Sequence, residues 1–299
     1  MAESRIGILG ATSLVGECLL PMLCRSGYVV SAFSRKSPLP TERDISWHRT
    51  GEKTWPRRSL WICLAPIWVL PGYFDRLLES GARRIVVLSS TSRFTKDDSS
   101  DEAEREISRR LAKGEARLRD WAELNGIEWV ILRPTLIYGR GRDRNIAAIA
   151  RFIHRFGFFP TVGNAFGLRQ PIHAEDVAGA CIAALESSAA ANRSYNISGG
   201  ETLSYREMVN RVFFALHRRP RLVAIPLPAF RAATACLRFF PRCRHWSAAM
   251  AERMSRDLVF DHADAARDLK FSPRGFRLAG EDVPISDRDE RDDLKSISP

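Results

Sequence analysis

Short apolar runs alternate with amphipathic stretches through the first half of the chain. Arg5-Ile-Gly-Ile-Leu9 reads as a buried strand. Gly16 to Arg25 reads as a helix with Leu19, Leu20 and Leu23 on one face. Tyr28–Phe33, Leu60–Leu64, Arg84–Leu88 and Trp129–Leu132 read as further strands, and Tyr73–Glu79 and Glu102–Asn125 as helices stopped by Gly81 and Gly126. Strands alternating with helices predict right-handed βαβ units, hence a parallel sheet with helices on both faces. Beyond Gly141 the pattern loosens. Helices are predicted over Asn145–Arg155, Ala174–Glu186 and Ser204–Leu216, with a loop over Phe156–Gly167 and a short strand at Tyr195–Ile197. Ser204 followed by Glu207 is a capping-box pattern. The expectation is an α/β fold: a doubly wound parallel sheet with a small C-terminal substrate lobe. The folded body is assigned to 1–277, with lobe segments about 142–175 and 198–277. Residues 278–299 carry mostly acidic charge and read as a disordered tail.

Composition narrows the function. With 299 residues, 45% hydrophobic and 27% charged, the chain is globular. No apolar run is long enough for a spanning helix, and Met1–Arg5 leads into a strand without a signal-peptide core. A cytoplasmic location follows as the expectation. The six cysteines lack CxxC spacing and the six histidines are scattered, so no metal site is expected. The net charge of +11 prompts nucleic-acid binding, but no recognition motif accompanies it and no nucleic-acid partner is expected. Arg206 to Arg244 concentrates arginines among phenylalanines. That region is a candidate contact with a membrane surface or a protein partner, which would make the protein membrane-peripheral.

The sharpest chemical signal is Gly10-Ala-Thr-Ser-Leu-Val-Gly16, which closes the first strand and opens the first helix. Glycines permit a tight turn and close approach of a pyrophosphate, while the helix N-terminus offers unpaired N–H groups. A Rossmann-type dinucleotide site is predicted, with Gly10, Thr12, Ser13, Leu14 and Gly16 against the cofactor. Ser13 stands where a middle glycine is usual. The second strand ends in Ser34-Arg35-Lys36, without the acid that would hold the ribose hydroxyls of NAD. A guanidinium at Arg35 suits a 2′-phosphate, so NADP(H) is favoured over NAD(H).

These segments resemble the extended and atypical short-chain dehydrogenase/reductase family, the NAD(P)-dependent epimerase/dehydratase group. GATSLVG is similar to its TGATGFIG loop, and Leu88-Ser-Ser-Thr-Ser-Arg-Phe94 to its VSSxxVYG segment. Leu132-Arg-Pro-Thr-Leu-Ile-Tyr-Gly139 resembles LRPxxVYGPG, and Arg169 to Ala178 resembles RxxVHVDDVA. Tyr195 to Ser204 resembles YNIGGGEPLS, and Phe271 to Phe276 the closing GFxPxxF. The resemblance implies that Ala65, Pro66, Ser89 and Pro134 also line the cofactor. It implies that Thr135, Asn145 and Arg169 face a small-molecule substrate, often a nucleotide-linked sugar in this family. It implies a homodimer through helices equivalent to Tyr73–Glu79 and Glu102–Asn125. For Arg169 the residues alone leave an alternative open, an ion pair with Glu175 or Asp176.

The family transfers a proton with a Tyr, a Lys four residues later, and a Ser or Thr. Ser90 and Ser92 supply the hydroxyls, but no tyrosine here has Lys at plus four. Of the six lysines only Lys113 lies on the relevant helix, and then Arg109 takes the Tyr position. Counting back from Gly126 instead places Glu115 at the Lys position and Leu111 at the Tyr position. Ser90, Ser92, Lys113 and Glu115 are the candidate catalytic residues, with Tyr138 as a possible substitute phenol. Two readings remain. One is an atypical NADP-dependent oxidoreductase acting on a carbonyl or hydroxyl carbon. The other is a non-catalytic NADP(H)-binding subunit or regulator.

Overall fold

The computed structural model describes residues 4–35, 44–226 and 253–284. The chain divides into two compact units. Unit 1 comprises Met1–Thr135, Ile172–Gly200 and Phe260–Arg274, and unit 2 comprises the rest.

Unit 1 is built on a seven-stranded parallel sheet. Its strands are β1 (Ser4–Leu9), β2 (Tyr28–Ser34), β3 (Ile45–Arg49), β4 (Leu60–Cys63), β5 (Arg84–Leu88), β6 (Glu128–Pro134) and a C-terminal edge strand, Arg193–Ile197. The order is edge strand, β6, β5, β4, β1, β2, β3. In register, Leu9 of β1 lies beside Phe33 of β2 and Cys63 of β4. All strands being parallel, the C-terminal ends of β1, β2, β4, β5 and β6 share one edge, the edge at which ligands bind in open α/β sheets. Near-continuous apolar sequence is what a doubly covered sheet requires. Every residue of β5 is buried, as Arg84-Ile-Val-Val-Leu88 foretold. The helices of this unit include α1 (Leu14–Arg25), α2 (Phe74–Glu79), α3 (Ser92–Thr95), α4 (Glu102–Leu124) and α6 (Ala174–Glu186), with a further helix over Ala263–Leu269. Trp61, Val87 and Ile131 from the sheet meet Leu111, Leu118 and Ala122 of α4 in one apolar cluster. This is the expected Rossmann-type doubly wound sheet.

Unit 2 contains β7 (Ile137–Tyr138), α5 (Ile146–Phe156), β8 (Phe159–Val162), β9 (Leu168–Arg169), β12 (Leu203–Ser204), α7 (Tyr205–Ala215) and β13 (Leu222–Ile225), while β10 (Ile172–His173) and β11 (the edge strand above) fall in unit 1. Its core joins Ile149 and Ile153 of α5 to Met208, Val212 and Phe213 of α7, around Phe159.

Four expectations are corrected. The predicted loop Phe156–Gly167 contains β8, all four residues buried and paired in parallel with β13. The edge strand β3 and the short α3 were not foreseen. The sequence reading gave Phe260–Arg274 to the lobe, but it returns to unit 1, where Tyr195 Oη donates to Asp268 at 2.9 Å and Ser187 Oγ to the Asp268 carbonyl at 2.8 Å. The tail does not begin at 278: Asp282 and Val283 are buried, and the Arg140 N–H donates to Asp282 at 3.1 Å. The expected tail over 285–299 and the part of Arg206–Arg244 beyond Pro226 lie outside the described residues.

Candidate dinucleotide site

The loop between β1 and α1 has the geometry that its glycines promise. Gly10 sits at φ +79, a left-handed conformation that costs a residue with a Cβ. A Cβ there would stand 2.7 Å from the Ala65 amide nitrogen, so the β1 and β4 termini approach closely. At Gly16 a Cβ would meet the Ala11 carbonyl oxygen at 2.2 Å, so glycine lets α1 lie against the loop. Ser13 in place of a glycine is explained by capping. It sits in extended conformation as N-cap of α1, and its Oγ accepts the Gly16 N–H at 3.2 Å. The N–H groups of Leu14 and Val15 open the helix, where no preceding turn provides acceptors. Thr12 is exposed beside them. This cradle fits a pyrophosphate held at a helix N-terminus. Arg35 is exposed at the end of β2, while Lys36 lies outside the described residues. Ala65 is half-buried and Pro66 exposed after β4, and Pro134 is buried at the end of β6.

At the other candidate centre the structure separates the two helix residues. Lys113 is exposed and Glu115 is fully buried. Residues two apart on a helix do not face each other. Leu111, Gly114, Leu118 and Ala122 form the buried stripe of α4, and Glu115 falls inside that stripe. Lys113 as the buried relay lysine is therefore corrected: the helix turns it to solvent. Arg109 is also exposed, paired with Glu102 and Glu106. Leu111 is in the core, and neither Arg109 nor Leu111, the two residues the alternative registers would put at the Tyr position, is a phenol.

A charge inside an apolar stripe demands partners. Glu115 has three. Arg133 donates to both carboxylate oxygens, Nε to Oε1 at 2.9 Å and Nη2 to Oε2 at 2.7 Å. Arg93 Nη1 donates to Oε2, and Ser89 Oγ donates to Oε1 at 2.6 Å. Burial alone would push the Glu115 carboxyl up. The hydrogen bonds from Arg133 and Ser89, with both guanidinium charges, outweigh it and hold the group below its ordinary range. Two guanidiniums share one carboxylate, leaving a formal excess of one positive charge. Both also lie over the Phe94 ring, 5.5 and 5.4 Å from its centroid. Arg93 and Arg133 were missed in the sequence. The available signal was a glutamate within the apolar stripe of a helix, with Arg93 in α3 just after β5 and Arg133 near the end of β6.

The remaining candidates divide. Ser90 and Ser92 are half-buried after β5, where Ser90 Oγ accepts the Ser92 N–H at 3.1 Å. Thr135 is half-buried and its N–H donates to the Ile197 carbonyl at 3.0 Å. Asn145 is exposed at the start of α5. The side chain that caps this helix is Asp143, whose Oδ1 accepts the N–H groups of Asn145 and Ile146 at 2.8 and 2.5 Å. Arg169 is corrected as a substrate clamp. It is buried, and its guanidinium donates to the carbonyls of Leu168 and Arg256 at 2.7 Å each and to that of Arg253. Burial pushes its pKa down to about 10. The alternative ion pair with Glu175 or Asp176 is not formed either, since Arg274 takes both acids. Tyr138 is fully buried against Phe276, with its Oη on the Arg277 carbonyl at 3.2 Å, and is a packing residue. Among the described residues no group of three or more His, Cys, Asp or Glu is placed to hold a metal, and no helix is long and apolar enough to cross a membrane.

Residues 74–198 match the model of the NAD dependent epimerase/dehydratase family. The chain is 29% identical over 116 residues, 38% of its length, to NADH dehydrogenase [ubiquinone] 1 alpha subcomplex subunit 9, mitochondrial, of Arabidopsis thaliana. It is 23% identical over 52% of its length to UDP-glucose 4-epimerase of Vibrio cholerae. The aligned parts span 29% and 50% of those two proteins' own lengths. The crystal structure of Thermus thermophilus UDP-glucose 4-epimerase in complex with NAD is similar in fold, with TM-score 0.66 at 15% identity, covering 93% of this chain and 97% of that one. The resemblance to epimerase/dehydratase proteins thus holds in sequence over residues 74–198 and in fold over most of the chain.

Proposed function

We propose that this chain, built on the epimerase/dehydratase fold, binds a nicotinamide dinucleotide, with NADP(H) favoured, and lacks the phenol-and-ammonium proton relay. The glycine turn at Gly10, the close approach at Gly16 and the α1 N-terminus hold the pyrophosphate. Arg35 faces the 2′-phosphate as a bidentate cation. Ala65, Pro66 and Pro134 border the cofactor. When bound, the dinucleotide supplies a hydride donor or acceptor.

The observation that carries the reading is Glu115. It stands at the relay's lysine position with both oxygens bound by arginines and one also by Ser89. A carboxylate so held is a poor proton donor at neutral pH, and its lone pairs are already engaged. The role that fits best is a non-catalytic NADP(H)-binding subunit or regulator, and the similarity to an Arabidopsis complex subunit supports it. A second reading, an atypical oxidoreductase acting on a small carbonyl or hydroxyl compound such as a nucleotide-linked sugar, is favoured by the half-buried hydroxyls of Ser90 and Ser92. Thr135 and Asn145 would then face the substrate. The exposed Trp68, Val69 and Leu78 beside α2 suit a homodimer contact.

The test is incubation with NADPH and a panel of nucleotide sugars and aldehydes. Cofactor binding with no turnover supports the first reading. Turnover abolished by Ser90→Ala or Ser92→Ala establishes the second.

A further inference from the structure

Unit 2 has one end where phenylalanines stand in solvent among arginines. The C-terminus of α5 meets the turn after α7 there: Arg218 Nη1 donates to the Ile153 carbonyl at 3.1 Å, and the Phe159 N–H donates to the Arg221 carbonyl at 2.9 Å. Phe156 is 52% exposed, Phe214 61% and Val223 46%. Phe152, Phe156 and Phe158 form a ring cluster, and Arg155 lies over Phe156, 5.5 Å from its centroid. Arg155, Arg219 and Arg221 are exposed beside them. The sequence contains no acid between Asp143 and Glu175, and none from Met208 to Pro226. The one acid of α7, Glu207, and Glu201 before it both pair with Arg211 in the middle of that helix.

Solvated aromatic rings cost free energy in water, and unopposed guanidiniums repel one another. An anionic lipid surface relieves both at once. Rings enter the headgroup boundary while arginines meet phosphates. A nucleic-acid surface would answer the charge but not the rings. We propose that this end of unit 2, formed by α5, β8, β13 and the turn after α7, docks peripherally on an anionic bilayer. The site is independent of the dinucleotide loop, so its failure leaves the cofactor reading untouched, and the reverse.

The full-length protein would be sedimented with vesicles of phosphatidylcholine alone and of phosphatidylcholine with one-third phosphatidylglycerol. Binding to the anionic vesicles, weakened by salt, is expected. Combined reversal at Arg155→Glu, Arg219→Glu and Arg221→Glu should weaken it by about a hundredfold or more, since each basic residue contributes about fivefold. Phe156→Ser with Phe214→Ser should weaken it by at least about tenfold, from lost apolar burial. Thermal melts of the variants would show that they remain folded. Absence of binding to anionic vesicles overturns the proposal. So does binding that the phenylalanine pair does not affect, or stronger retention on duplex nucleic acid.

Discussion

Two places on the same sheet edge keep the inherited pattern in opposite ways. The β1–α1 loop keeps its cradle through backbone geometry. Gly10 supplies a positive φ, Gly16 a close approach, and Ser13 replaces a glycine while capping the helix. The α4 centre preserves shape but not chemistry. Leu111 packs in the core, and Glu115 is a buried carboxylate where, in the proposed reading, the relay would have its ammonium. Arg93 and Arg133 then supply the positive charge that a lysine would have carried. A binding loop tolerates side-chain exchange because main-chain N–H groups do the work. A proton relay does not, because the side-chain pKa is the function.

The largest effect should come from Glu115→Ala. It leaves two half-buried guanidiniums facing each other without their carboxylate and should cost up to about 3–5 kcal/mol of unfolding free energy in urea titration. A stable, folded Glu115→Ala protein that lost a turnover present in the parent would reverse the contrast and make Glu115 catalytic. Arg35→Ala comes next. Losing charge-assisted bonds worth about 1.5–3 kcal/mol should weaken NADPH by about tenfold or more and leave NADH unchanged, read by fluorescence titration. Equal losses for both cofactors would remove the 2′-phosphate role. Gly10→Ala should cost about 1–2 kcal/mol from its left-handed backbone and weaken both cofactors alike.

The acid limb sharpens the same contrast. The Glu115 pKa is lowered on folding, from an ordinary value of 4.5. Its stabilising contribution is therefore complete above that value and is lost as pH falls through the folded pKa. Chemical denaturation at falling pH should show a steeper loss for the parent than for Glu115→Gln. Identical slopes would mean that the carboxylate is not ionised in the fold. Smallest is Arg109→Ala, which breaks only exposed pairs and should leave the urea unfolding midpoint nearly unchanged.

Most of unit 1 was legible because periodicity reports burial. The fully buried β5 and the amphipathic α4 appear where the pattern placed them. Strand β3 was missed because Ile45-Ser-Trp-His-Arg49 is a short edge strand with only Ile45 fully buried. Strand β8 was missed because the glycines and aromatics of Phe156–Gly167 read as a loop until β13 pairs with it. At the site, the glycine loop was readable since its signal is local. The Glu115 cluster was not, because Ser89, Arg93, Glu115 and Arg133 meet only through folding. Arg169 misled for the same reason: its partners are carbonyls of Arg253 and Arg256, remote in sequence.

Cofactor binding without the relay is tested most directly by titrating the purified chain with NADPH while following nicotinamide fluorescence. Saturable binding, tighter than for NADH, is the predicted result. No binding at high micromolar NADPH would contradict the account.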